Sequence, residues 1–269
     1  MTQQPLSLQT IRQEAPSVFA TQPESGVSDR YRFIPTSHVM NVLDMLGWKP
    51  VSARQVISRA DDGMSYAKHE LRFQNDSSLN RDFLKVGDSI PQIILTNSHN
   101  RTAVFNLMAG LFRLVCSNGL MVSDAALGGI RVKHLGYDDS AIVDATFQIT
   151  DKLPQVLNSL EKFKSTELSD TDQRIMARSA ALLRWNTISD IPIHPDDLLR
   201  PRRTDDNHRD LFSTFNRLQE NLIRGGIRAV NESGKRYRTK AIRSIDSDIE
   251  INQGLWTLAE KMLAMKQAA

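Results

Sequence analysis

Residues 102–122 read TAVFNLMAGLFRLVCSNGLMV, and the choice between helix and strand for this stretch sets the fold class. Thr102 to Cys116 suits either state by composition, but the Asn118-Gly119 that follows is the pair favoured where both central residues of a tight hairpin turn take positive φ. The run before it is therefore read as a long strand that returns through Leu120-Met121-Val122, with Gly110 expected to mark a bulge or bend.

Strands are also expected on either side. Ile93-Ile94-Leu95 forms a short apolar run ending at Asn97. Val51 to Arg59 and Ser65 to Phe73 flank Asp61-Asp62-Gly63, a hairpin-turn composition that puts His69, Leu71 and Phe73 on one face, and Ser77 to Ser89 reads as a polar connection. Ile130 to Leu135 alternates and is expected to add a strand, as does Arg30-Tyr31-Arg32-Phe33 ahead of Pro35. Thr36 is expected to cap a helix carrying Val39, Val42, Leu43 and Leu46, which Gly47 ends. Residues 1–29 are rich in Gln, Pro and Ser and are expected to be a loosely attached leader with one short helix around Ile11 to Phe19.

Beyond Tyr137 the period becomes helical. Helices are expected over Ala141 to Phe163, kinked at Pro154, and over Asp170 to Trp185 with Ile175, Leu182 and Leu183 as the apolar face. Pro192, Pro195 and Pro201 make Ile191 to Asp206 a loop or linker. Further helices are expected from Asn207 to Ile223, stopped by Gly225-Gly226, and from Ser247 to Gln267. The fold class is α+β: an antiparallel β-meander with flanking helices over 30–137, then a mainly helical carboxy-terminal half, 138–269, that carries a basic segment at 200–243.

The composition of the 269 residues, 40% apolar and 24% charged, is that of a globular chain. Cys116 is the only cysteine, which excludes an intrachain disulfide or a cysteine zinc site and reads as a small buried side chain. Polar residues interrupt the apolar stretch Val115 to Leu127 before it could span a bilayer, and Met-Thr-Gln-Gln-Pro-Leu-Ser at the start lacks the pattern of a secretory signal, so a cytoplasmic protein with no membrane partner is expected.

Charge is segregated. Arg200 to Arg243 holds twelve Lys and Arg against five acids, leaving the rest of the chain at −4 within a total of +3. Arg202, Arg203, Arg224, Arg228, Lys235, Arg236, Arg238, Lys240 and Arg243 are candidate phosphate contacts; Gly225 and Gly226 would let backbone N–H groups approach an anion, and Tyr237 could stack on a base. A second, polar candidate is Asn97-Ser98-His99 with Arg113 and Asn118, in which His99 could carry a proton or donate to phosphate, although such residues commonly serve only as turn formers. Asp246, Asp248 and Glu250 could suggest a metal site, but Ser247-Asp-Ile-Glu250 is also a capping box, and His194, Asp196, Asp197, Asp205, Asp206 and His208 lack ligand spacing. No metal and no cofactor are expected, and no nucleotide-loop, hydrolase or zinc-protease motif occurs.

Tyr31 to Thr36, His69 to Arg72, Pro91 to His99, Gly110 to Val122, Pro201-Arg202-Arg203, Asp210 to Gly226 and Thr239 to Glu260 together resemble an uncharacterised family of phage- and plasmid-encoded proteins, domain of unknown function 932. The resemblance implies a mobile-element origin and supplies no catalytic residue. Arg101 stands where it implies a glycine before Thr102, which removes the residue that a tight positive-φ turn favours. The order of elements is also broadly similar to that of strand-annealing recombination proteins, an analogy without a shared motif. The expected function is non-sequence-specific nucleic-acid binding, with single-stranded DNA favoured and a homo-oligomer compatible with an open sheet edge. A metal-dependent nuclease using Asp246 or Asp248, and a protein-binding inhibitor of a host defence system, are the alternatives.

Overall fold

The computed structural model describes residues 4–27, 31, 33–57, 63–75, 89–113, 119–121, 139–231 and 233–268. They belong to two units, Met1–Pro154 and Gln155–Ala269.

In the first unit, helix α1 (Leu8–Glu14) is capped by Ser7, whose Oγ accepts from Thr10 N, and leads into a 3-10 turn, Pro16–Phe19. Ile11, Ala15 and Val18 recur at helical spacing and are fully buried, while Leu6 N donates to Pro50 O at 2.7 Å. The expected leader thus supplies core rather than hanging loosely. Tyr31 and Phe33 are not in a strand: the Tyr31 hydroxyl donates to Ser98 O, and Phe33 packs on the His99 ring. Helix α2 (Thr36–Met45) begins without a side-chain cap, because Thr36, expected to cap it, is its first helical residue and Pro35, whose ring has no acceptor, holds the cap position; the Thr36 hydroxyl bonds His69.

Strands β1 (Trp48–Gln55), β2 (His69–Asn75), β3 (Ser89–Asn97), β4 (Asn106–Arg113) and β5 (Gly119–Met121) form one antiparallel sheet in chain order, as the hairpin reading requires. Ala53, Leu71, Leu95 and Leu107 line up across four strands on one face, with Phe73, Ile93 and Ala109 beside them. The other face carries Arg54, Glu70, Thr96 and Asn106 in one row and Arg72, Ile94 and Met108 in the next. Both faces are buried: Glu70, Arg72, Gln74, Gln92 and Thr96 are as inaccessible as the apolar set. The irregularity in register falls between Pro50 and Ser52, not at Gly110, which pairs regularly with Gln92. Pro50 lacks an N–H for the ladder, a sufficient reason for the slip. The Asp61-Asp62 turn, most of the 77–89 connection, Cys116, Asn118 and the strand expected at 130–135 lie outside the described residues.

Helix α3 (Asp139–Ser165) runs through Pro154, where the two units divide. In the second unit, α4 (Asp170–Trp185) starts at a capping box in which Ser169 and Asp172 each accept from the other's backbone N–H. Its buried face is Gln173, Met176, Ala177, Ala180 and Ala181, whereas Ile175 is exposed. A 3-10 turn, Ile188–Asp190, precedes the proline-rich stretch, which itself forms two more, Pro195–Leu199 and Thr204–Asp206. Helix α5 (Leu211–Arg224), capped by Asp210, is buried from Leu211 through Leu222 and is the centre of this unit. Helix α6 (Ile245–Ala268) buries Ile251, Leu255, Trp256, Ala259 and Met262. It begins ahead of the expected Ser247 box, at Ser244, whose carbonyl accepts from Asp248 N. A two-stranded hairpin, β6 (Arg228–Val230) and β7 (Arg236–Arg238), joins α5 to α6. No described helix is long and apolar enough to cross a membrane.

Candidate functional site

The end of α5 shapes the basic segment. The carbonyls of a last helical turn have no partner within the helix, and here arginines supply some of them. Arg184 donates to Leu222 O and Lys240 O, and Arg202 donates from Nε to Asn221 Oδ1 and from Nη2 to Gly225 O. Burial lowers the pKa of both guanidinium groups, and nearby charge modifies the effect. Gly225 and Gly226 take φ of +63° and +78° and turn the chain out of the helix. A Cβ on Gly225 would sit 2.5 Å from Lys240 O and 2.6 Å from Thr239 O, so only glycine allows this approach. Their N–H groups bond to Asn221 O and Thr239 O; the anion contact expected of these amides is therefore already occupied by backbone.

The cations divide into two groups. Glu220, almost fully buried, receives both Arg203 at 3.1 Å and Arg224 at 3.0 Å, so these two arginines serve the interior. Arg228, Lys235, Arg236, Arg238, Lys240 and Arg243 are exposed and form no ion pair with a described residue; Glu232 lies outside the description. In the hairpin turn Lys235 N donates to Asn231 Oδ1 at 2.7 Å and Gly234 takes φ +78°.

Register then aligns the charges. Arg228 is the direct partner of Arg238, and Val230 of Arg236, while the other face holds Ala229 opposite Tyr237. Like charges directly opposite on a two-stranded ribbon repel. Arg228 and Arg238 also wall an open pocket of about 420 Å³ together with Arg200, Arg202, Asp197 and Asn221. Asp197 pairs with Arg200 at 2.8 Å, and Arg238 Nη1 donates to Gly226 O at 2.7 Å, which holds its guanidinium at the rim. Four guanidinium groups and one carboxylate thus surround one concavity. Arg200 was not singled out in the sequence because its neighbouring prolines suggested only a linker. Lys235, Lys240 and Arg243 do not line the pocket.

The polar candidate has a different character. Asn97, Ser98 and His99 are fully buried at the end of β3. Asn97 Nδ2 donates to Ile34 O and Thr36 Oγ1, and Ser98 Oγ bonds Ala103 N and O across the following turn. The network continues through residues the sequence did not flag: Thr36 Oγ1 contacts His69 Nε2 at 2.8 Å and His99 Nε2 at 3.4 Å, Ser17 Oγ contacts His69 Nδ1, and the two imidazoles are 5.2 Å apart. Zero exposure makes this internal architecture that joins the Pro16–Phe19 turn, α2 and the sheet. Arg113 is placed in β4 by its backbone, and Asn118 lies outside the described residues.

Of the acids weighed as a metal site, Asp248 is buried and accepts from Asn252 Nδ2 at 2.8 Å. Among the described residues, no group of three or more His, Cys, Asp or Glu side chains is placed to hold an ion.

The fold is that of an α+β protein whose carboxy-terminal unit carries an arginine-lined pocket. Its family follows from sequence comparison. The chain belongs to the family described as a domain of unknown function, DUF932, whose model matches residues 24–256. It is 33% identical over 263 residues to the UPF0380 protein YafZ of Escherichia coli strain K12, and 32% identical over 263 residues to YfjQ of the same organism, in each case covering 98% of this chain and 93% of the relative. No solved structure matches it.

Proposed function

We propose that the protein binds the sugar-phosphate backbone of nucleic acid, single-stranded DNA foremost, through the arginine pocket and the exposed face of the β6–β7 hairpin. The observation that carries the reading is the pairing of Arg228 with Arg238 at the rim of a pocket that also contains Arg200 and Arg202. A cluster of this kind is stabilised when an anion bridges the guanidinium groups, and a polyanion bridges several at once. Contacts of this type position a strand without reading its sequence. The setting we infer is the replication or recombination of a mobile element, following the family resemblance.

The test is a fluorescence anisotropy titration of single- and double-stranded DNA and RNA at two salt concentrations, with and without Mg²⁺. Neutralising about five phosphates of a single strand gives a slope of log affinity against log salt of about −3.5. A flat salt dependence removes the reading. Mg²⁺-dependent cleavage abolished by Asp246 or Asp248 substitution would replace it with a nuclease.

A further inference from the structure

Resting on that phosphate-binding reading, we propose that the opposite side of the same hairpin holds an unstacked nucleobase, so that the protein discriminates single strands from duplex by taking up a base. A second open pocket, of about 600 Å³, is lined by Ser189, Asp190, Pro192, Asn231, Ser233 and Tyr237. Its chemistry differs from that of the arginine pocket. No cation lines it among the described residues, and it contains a carboxylate, Asp190, that repels phosphate. What it offers instead is an aromatic face, a hydrogen-bond acceptor and a donor.

Tyr237 supplies the face: it is 42% exposed although its cross-strand partner Ala229 is buried. A phenol ring left open to solvent on a strand otherwise composed of arginines is a stacking platform for a base. Asp190 supplies the acceptor, since its Oδ1 meets only the Ser189 hydroxyl at 3.4 Å. Asn231 supplies the donor. Lys235 N and Ser233 Oγ both bond to its Oδ1, at 2.7 and 2.8 Å, which fixes the amide and leaves Nδ2 for a ligand. Every base edge presents both donors and acceptors, so this set accepts a base with little sequence preference.

Placement joins the two pockets. Tyr237 and Arg238 are consecutive on β7, and successive side chains of a strand point to opposite faces, so neighbouring residues border the two pockets; Val230, which shares the Arg238 face, also borders the Tyr237 pocket. A strand crossing this ribbon would leave its phosphate among Arg200, Arg202, Arg228 and Arg238 and turn its base onto Tyr237. A duplex cannot do so without unstacking that base.

The experiment compares three labelled probes on the full chain by anisotropy: a twenty-nucleotide oligo(dT), an abasic deoxyribose-phosphate strand of the same length, and a duplex. The wild type is expected to bind oligo(dT) about tenfold more tightly than the abasic strand, the scale of one base stacked on an aromatic side chain. Tyr237→Ala should bring the two affinities together while leaving abasic binding and its salt slope unchanged, and Tyr237→Phe should keep the preference. Equal binding of oligo(dT) and the abasic strand by the wild type, with a steep salt dependence, overturns the base pocket and leaves the phosphate reading standing. Loss of both affinities alike in Tyr237→Ala also overturns it, by making Tyr237 a support of the arginine face. Failure to bind either strand at low salt overturns both readings together.

Discussion

Ser17 Oγ lies 2.8 Å from His69 Nδ1, and the bonds around this pair fix which nitrogen carries the proton. Gln55 Nε2 donates to Met64 O, so its Oε1 is the atom facing Ser17, where it accepts from both Ser17 N and Ser17 Oγ. With the only hydroxyl proton of Ser17 engaged there, Ser17 Oγ can only accept from His69 Nδ1–H, which also points at Ala67 O. Nε2 is then a bare acceptor for the Thr36 hydroxyl at 2.8 Å, and Thr36 accepts in turn from Asn97. In this arrangement His69 is neutral.

A pH dependence of stability follows. Burial lowers the His69 pKa to about 4, against the smaller opposing effect of the Ala67 carbonyl. Between about pH 6.5, the unfolded value, and about pH 4, the unfolded chain binds a proton that the folded chain refuses, so stability falls as pH falls through this window. The loss attributable to His69 by pH 4 is about 3 kcal/mol. Urea unfolding of the wild type and His69→Gln at several pH values measures it, because carboxylates common to both proteins cancel in the difference. Parallel pH profiles would show that His69 does not titrate this way.

On the other face of the sheet, Glu70 is 1% exposed and receives Arg54 through two bonds, at 3.0 and 2.7 Å, and Arg72 through one at 2.8 Å. Burial alone would raise its carboxyl pKa; the two arginines outweigh it, and the net shift is downward. Glu70→Ala removes the buried carboxylate that Arg54 and Arg72 share, and the expected loss is about 3 to 5 kcal/mol. Denaturant midpoints decide it, and a loss below about 1 kcal/mol, the scale of exposed pairs, would mean that the row is solvated.

Arg101 holds φ +63° at an exposed turn between β3 and β4. The turn expected to need glycine is thus made with arginine, held by Ser98 Oγ on Ala103 N at 2.8 Å and by Thr102 on Asn100 Oδ1. Because the left-handed region costs a residue with a Cβ about 1–2 kcal/mol, Arg101→Gly should stabilise the protein by up to about 1 kcal/mol after the extra chain entropy of glycine. Arg101→Ala keeps the Cβ and should not. A thermal melt of the three proteins separates the two effects.

The elements legible in the sequence are those with a local signature. Asn118-Gly119 pointed to a return of the chain after β4, but the register puts Gly119 inside β5 opposite Phe112 and not at the centre of a tight turn, and β4 is Asn106–Arg113 where a longer strand over 102–116 was expected. The α4 boundaries were legible from the periodic run Asp170 to Trp185. What local pattern could not show is burial on both faces of the sheet: Glu70, Arg72 and Gln74 alternate with apolar residues as solvent-facing side chains do, yet they are buried. The leader was misread for a related reason, since Ser17 there is an internal partner, bonded to His69 across 52 positions, and Ile11, Ala15 and Val18 are core. In the basic segment, charge was legible and its allocation was not. Nothing in the spacing of Arg202, Arg203 and Arg224 distinguishes them from Arg228 and Arg238; the position of Glu220 and of the α5 carboxy-terminus does.

That allocation gives a prediction in which binding and stability move independently. Arg228 and Arg238 face one another without a described carboxylate partner, so replacing both with Ala removes repulsion and should leave stability unchanged or slightly raised. Binding to single strands of any sequence should weaken, and the salt slope should become shallower by about 1.4, two phosphate contacts at about 0.7 each. Arg203→Ala should do the reverse, lowering stability by removing a partner of buried Glu220 while the slope holds. The measurement is one salt series and one urea curve for each variant. If Arg203→Ala flattens the slope as much as the hairpin pair does, the interior and exterior cations are not distinct, and the pocket is not where phosphate is held.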